Sequence, residues 1–194
     1  NGFKFHRTPS GIRFICFPSY SLTGYCFDFS GRRDAPRLLW QNDYTGKYGK
    51  GYGPVIVLSD MDRDGRPEIV LSGKTSRVYQ AILDIDTGGI KNEIYYDPEP
   101  GSSYPVGRPY GLLHAVPFDP TRPPDVVIIS CQVEEYIGIA SNAGGRRLEK
   151  LWGKFIEKDW PDDEKELRPQ ITSLADLRGD GAVELVVGVW DEGV

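Results

Sequence analysis

Cysteine is scarce in this chain, with three residues among 194, and no two are spaced as Cys-x-x-Cys. That excludes a thiolate metal site and a disulfide framework. Cys16 and Cys26 fall on neighbouring predicted strands, so they either pair or sit as small buried hydrophobes, with Cys131 apart. Histidine is limited to His6 and His114, and no zinc pattern, Gly-x-Ser-x-Gly elbow or P-loop occurs. No apolar run is long enough to span a bilayer, and no signal peptide is visible at Asn1, which fits a mature or excised piece. Helical periodicity is nearly absent. The net charge is -5 with no basic stripe among aromatics, which argues against nucleic acid as a partner.

What is present is a foldable β-rich composition. Hydrophobic residues make up 39% of the chain, enough for a core and against disorder. With Gly 23 and Pro 15 to supply turns, the chain reads as all-β with many short strands.

Residues 60–68 carry the densest chemistry: Asp60-Met61-Asp62-Arg63-Asp64-Gly65-Arg66-Pro67-Glu68. Carboxylates at positions one, three, five and nine, with glycine at six, make an oxygen-rich cradle for a hard cation. Calcium suits it, because calcium accepts many oxygens in flexible geometry. The expected ligands are Asp60, Asp62, Asp64, the backbone carbonyl of Arg66, and Glu68; the alternative is an acidic β-turn without metal. An EF-hand is excluded, since position twelve is Leu71 and the flanks Pro54–Leu58 and Glu68–Leu71 are short and strand-like.

The loop recurs within a repeat. An acidic residue before an apolar run falls at Glu68, Asp125 and Glu184, spacings of 57 and 59. Gly31, Gly88 and Gly144 lie 57 and 56 apart. A third landmark aligns Leu38-Leu39-Trp40 with Glu93-Ile94-Tyr95 and Lys150-Leu151-Trp152. The clearest unit has strand-like runs at 53–59, 68–72, 77–85 and 92–96. Four antiparallel strands per repeat predict β-propeller blades, with a sandwich or solenoid as the competing fold. The whole of 1–194 reads as a single propeller arc: 1–50 the later part of one blade, 51–107 and 108–168 two blades, and 169–194 the start of another. Further blades are expected outside this chain, because a closed ring needs about four to eight.

The motif from Asp60 to Glu68, followed at once by a strand, resembles the FG-GAP/VCBS repeat of integrin-alpha-like propellers. The resemblance extends to phrases such as Tyr79 to Gly88 and covers nearly the whole chain. It implies calcium between the first two strands of a blade, a secreted (extracellular or periplasmic) location, and a role in adhesion, carbohydrate contact or assembly, with a glycan or protein ligand. Rhamnogalacturonan lyases carry propellers with similar loops, which implies an alternative: the propeller part of a secreted polysaccharide-active enzyme. None of their catalytic residues can be matched here, so whether the chain is an enzyme is left open.

The other units depart from the motif. At 176–184, position three is Arg178, whose guanidinium cannot ligate a cation. Either it pairs with Asp176, Asp180 or Glu184 and replaces the ion, or it swings out and a weaker site survives. The middle unit has Pro117 and Thr121 at positions one and five, too few carboxylates for a site. Arg178-Gly179-Asp180 also spells an integrin-recognition tripeptide, read as incidental to the loop.

For ligand contact, Arg108, Tyr110 and His114 lie on or before a predicted first strand, which lines a propeller's channel. They suit an acidic sugar, with His or Tyr moving a proton, or else His114 is a satisfied histidine between blades. Tyr44, Tyr48 and Tyr52 with Lys47 and Lys50 form either an aromatic, basic rim or a solvated crossover covering the blade edge. Residues 157–168 are highly charged, and Pro161-Asp162-Asp163 suits the first turn of a short helix.

Overall fold

The computed structural model describes residues 2–18, 21–31, 35–48, 52–74, 78–96, 111–116, 121, 124–130, 136–143, 147–155, 167–180 and 183–191. Its first sheet contains β1 (Phe3–Thr8), β2 (Gly11–Cys16), β3 (Thr23–Asp28) and β4 (Arg37–Asp43). One helical turn, α1 (Thr45–Tyr48), leads to the second sheet: β5 (Tyr52–Ser59), β6 (Glu68–Lys74), β7 (Val78–Leu83) and β8 (Ile90–Tyr96). The third holds β9 (Gly111–Val116), β10 (Asp125–Ser130), β11 (Tyr136–Ala143) and β12 (Arg147–Phe155). The last described strands, β13 (Leu167–Ala175) and β14 (Glu184–Asp191), pair with each other. Every four-stranded sheet is an antiparallel meander in chain order. All-β architecture therefore follows from short β-branched runs separated by turn residues.

Two boundaries differ from the repeat pattern. Residues 1–50 hold four strands, not the later part of a unit. β1 and β2 are joined by the two-residue turn Pro9-Ser10, so no acid-rich loop marks where this sheet begins. Leu167 and Arg168, expected at the end of a short helix, open β13 instead; residues 157–166 lie outside the described residues.

The third landmark is also corrected, by the strand register. Each four-stranded sheet has an irregularity in its last hairpin that leaves one residue of the fourth strand out of register. Cys26 pairs with Trp40 and Phe27 with Leu38; Ile82 pairs with Asn92 and Leu83 with Ile90; Ile139 pairs with Trp152 and Ala140 with Lys150. The extra residues are Leu39, Lys91 and Leu151. Trp40 thus matches Asn92, three residues before the Tyr95 that composition suggested. The error arose because the β7–β8 connection is shorter than the β3–β4 connection, and periodicity alone does not see a change in turn length.

β1 lies against β5, and β5 against β9, so the first strands of successive sheets are neighbours. β8 likewise lies against β12. The second sheet is covered on both faces, and Ile69, Val70 and Leu71 on β6 are all fully buried. That is why β6 reads as a continuous apolar run instead of an alternating one. Between the first two sheets lies a core that includes Ile15, Leu22, Trp40, Ile56, Tyr79 and Leu83. Each fully buried aliphatic side chain there contributes about 1.5–3 kcal/mol of transfer free energy.

Polar contacts stitch the same interface. Trp40 Nε1–H donates to the Ile85 carbonyl at 3.0 Å, Asn42 Nδ2 to the Thr87 carbonyl at 2.8 Å, and the Tyr44 hydroxyl to the Gly88 carbonyl at 2.5 Å. Asp86 receives ion pairs from Arg13 on β2 and from Arg66 in the β5–β6 loop. The 84–89 turn is therefore held by the first sheet as well as by its own strands. Both Cys16 and Cys26 are free thiols, and Cys131 lies outside the described residues.

Candidate metal centre

The loop between β5 and β6 is shaped by its own acids. Asp60 Oδ2 accepts the Gly65 N–H at 3.0 Å, Asp62 Oδ1 the Asp64 N–H at 3.2 Å, and Asp64 Oδ1 the Arg66 N–H at 2.8 Å. Each bond satisfies a backbone donor that a tight loop cannot pair within a ladder. Gly65 takes a left-handed φ of 86°, as the sharp turn at position six requires. Arg63 at position four is left-handed as well, with φ of 63°. Its counterpart Gly179 in the β13–β14 loop has φ of 69°, so the two loops share this bend.

Glu68 closes the loop from the start of β6. Its side chain is nearly fully buried, Oε2 accepts the Met61 N–H at 2.7 Å, and Oε1 faces Lys91 Nζ at 2.8 Å. Lys91 Nζ also lies 2.5 Å from Asp62 Oδ2. Those two hydrogen bonds and charges outweigh burial, which on its own lowers a lysine's pKa, and hold Lys91 above the usual range. The Lys91 hydrogen bond in turn holds the Asp62 carboxyl below its ordinary value.

Three of the predicted ligands come together. Asp60, Asp62 and Glu68 each offer a carboxylate oxygen, all within 4.8 Å of one another, and together they could hold a metal ion. Asp60 Oδ1 is buried and has no hydrogen-bond partner among the described residues. A buried, unpaired carboxylate oxygen is costly, and a cation would satisfy it. An all-oxygen, all-carboxylate donor set also fits a hard divalent ion. Asp64 stands outside the group: it is exposed and occupied with the Arg66 N–H. Arg66 directs its guanidinium to Asp86, a contact that its expected role as a carbonyl ligand did not foresee.

The β13–β14 loop repeats the plan with a different cation. Glu184 Oε2 accepts the Leu177 N–H at 2.8 Å, as Glu68 does for Met61. Asp176 Oδ1 accepts the N–H groups of Gly179 and Asp180 at 2.6 and 3.1 Å. Arg178 Nε sits 2.6 Å from Glu184 Oε1 and 3.5 Å from Asp180 Oδ2. The guanidinium therefore lies on the same glutamate oxygen that Lys91 occupies in the earlier loop. Of the middle loop, positions 117–120, 122 and 123 lie outside the described residues.

The ligand-contact candidates separate. Tyr48, offered either to an exposed rim or to a crossover covering the blade edge, is buried, as the second reading expects. Its ring stacks on Tyr79 with centroids 4.2 Å apart, and its hydroxyl donates to Glu93 Oε2 at 2.7 Å. Tyr44 is buried too, and Lys47 is paired with Glu93 at 2.6 Å. The helical turn Thr45–Tyr48 brings both tyrosines inward, which strand-like spacing would not have done. Lys50, Arg108 and Tyr110 lie outside the described residues. Tyr52 and His114 are placed as backbone positions, opposite Lys74 and Val127. No described helix is long and apolar enough to cross a membrane.

No family model and no curated protein matches the sequence. Solved structures do. An exotype rhamnogalacturonan lyase, YesX, aligns with a TM-score of 0.67 and 16% identity over 98% of this chain and 39% of its own. The Bacillus licheniformis rhamnogalacturonan lyase PL11 aligns with a TM-score of 0.66 and 18% identity, over 98% of this chain and 40% of its own. The C-terminal domain of Pseudomonas aeruginosa PilY1 aligns with a TM-score of 0.63 and 11% identity, over 97% and 43%. The TM-scores show a shared β-rich fold, and at these identities the likeness is one of fold alone. The chain spans about two-fifths of the length of the lyases it resembles.

Proposed function

We propose that this chain is an arc of a β-propeller of the FG-GAP/VCBS kind, stabilised by calcium and built to contact carbohydrate outside the cytoplasm. Successive four-stranded meanders with adjacent first strands support the propeller reading. On that reading residues 51–107 and 108–168 are blades, 1–50 belongs to the blade before them and 169–194 opens the next, with further blades outside this chain. The observation that carries the calcium assignment is Asp60 Oδ1, buried without a hydrogen-bond partner beside Asp62 and Glu68. Bound there, calcium would offset the mutual repulsion of the loop acids and fix the β5–β6 turn. Asp60, Asp62 and Glu68 would hold it, with Asp64 and the Arg66 carbonyl as the remaining ligands of the motif. Diffraction from crystals grown in calcium tests this: an anomalous peak among Asp60, Asp62 and Glu68 is expected, and none at saturating calcium would refute it.

A second reading, that the arc belongs to a polysaccharide-active enzyme, draws on the alignment with rhamnogalacturonan lyases over 98% of the chain. Here the glycan would be an acidic polysaccharide, with Arg108, Tyr110 and His114 as the candidates on and before β9, and Tyr52 on β5. Incubation with rhamnogalacturonan, read at the absorbance of unsaturated uronates, separates the readings. Product release that His114→Ala abolishes supports the enzyme; binding without turnover supports the contact module.

A further inference from the structure

Lys91 is the residue that the irregularity in β8 leaves without a register partner, between Ile90 opposite Leu83 and Asn92 opposite Ile82. Bulges of this kind re-aim a side chain. The corresponding positions in the first and third sheets are Leu39 and Leu151. Among the three described four-stranded sheets, the one carrying the complete acid-rich loop alone has a basic residue there. Lys91 comes from 23 residues beyond Glu68 in sequence, yet its ammonium spans Asp62 and Glu68, two of the three carboxylates grouped as a metal site. The β13–β14 loop supplies an independent parallel, with Arg178 on Glu184 Oε1. In both loops the ninth-position glutamate gives one oxygen to the second-position N–H and the other to a basic side chain.

We propose that Lys91 is a tethered counter-ion: it closes the β5–β6 loop when no metal is bound and must leave Asp62 and Glu68 before calcium enters. The proposal rests on the calcium reading above. An ion ligated by both carboxylates lies about 2.3–2.6 Å from their oxygens, and an ammonium on the same two side chains would sit beside a double positive charge. The two cations therefore compete. Lys91 lowers the apparent affinity for calcium while keeping the ion-free loop folded, since buried Glu68 is never left without a positive partner. In the β13–β14 loop Arg178 does the second job permanently, being part of the loop itself.

The test uses the whole wild-type chain and one variant. Lysines are acetylated at low reagent excess in EDTA and in saturating calcium, and peptides are followed by mass spectrometry with Lys4 as internal reference. Lys91 should react several-fold faster in calcium, because the ammonium is released, while Lys4 does not change. Calorimetric titration should show Lys91→Met binding calcium about tenfold more tightly than wild type, the order expected for two displaced ion pairs, and that variant should melt at a lower temperature in EDTA. If wild type binds calcium but Lys91 reactivity is the same in both buffers, the tethered counter-ion is wrong and the calcium site stands. If wild type binds no calcium, both ideas fall. The acetylation measurement decides the matter even where Lys91→Met fails to fold.

Discussion

The indole N–H of Trp40 donates to the carbonyl of Ile85 at 3.0 Å, from the last strand of one sheet to the turn of the next. That turn approaches the first sheet closely. A Cβ on Gly88 would lie 2.5 Å from Asn42 Nδ2 and 2.9 Å from Trp40 Cε3, and Gly88 is left-handed with φ of 68°. Gly88→Ala therefore combines a conformational penalty with a clash. Urea denaturation should show a loss of about 2–4 kcal/mol. A loss below about 0.5 kcal/mol would mean that the interface is not closed in this way.

Tyr48 gives a second measurable pair. Tyr48→Phe keeps the stack on Tyr79 and removes the bond to Glu93, which retains Lys47 as a partner. It should cost about 1 kcal/mol, whereas Tyr48→Ala empties part of the core and should cost about 3–5 kcal/mol. Equal, small losses from both would restore the exposed rim that the spacing of Tyr44, Tyr48 and Tyr52 suggested.

The acid-rich loop with its grouped carboxylates and the strand content were legible in the sequence because both are local. Carboxylate spacing over nine residues and β-branched runs of six or seven need no knowledge of what packs on them. The four runs expected in the second unit fall within a few residues of β5 to β8. What escaped depends on contacts made far along the chain. Lys91 joins the loop through a bulge whose position is set by the pairing of β7 with β8. Tyr44 and Tyr48 are buried because the second sheet covers them, and a tyrosine's sequence does not say which sheet will arrive. Arg63, left-handed without being glycine, had one available signal: Gly179 at the same place in the β13–β14 loop.

Cys26 supplies a pH test. Burial raises its thiol pKa from 9.0 to about 11, with Arg13 opposing and Asp28 and Cys16 reinforcing the rise. The fold therefore favours the protonated thiol. Its contribution to stability is complete below pH 9.0 and declines as the pH climbs toward about 11. At pH 8 the Cys26 peptide should stay unmodified by iodoacetamide in the folded chain and react readily in urea. Fast labelling of the folded chain at pH 8 would show an open first sheet.

Calcium-dependent stability tests the central claim most directly. An ion bound to the folded loop at 100 times its dissociation constant adds about 2.7 kcal/mol, or about 5–10 °C of melting temperature for a chain of this size. Melting the chain in EDTA and then in excess calcium should show a rise of that order, and Asp60→Asn should abolish it. An identical melting temperature in the two buffers would contradict a calcium site at Asp60, Asp62 and Glu68.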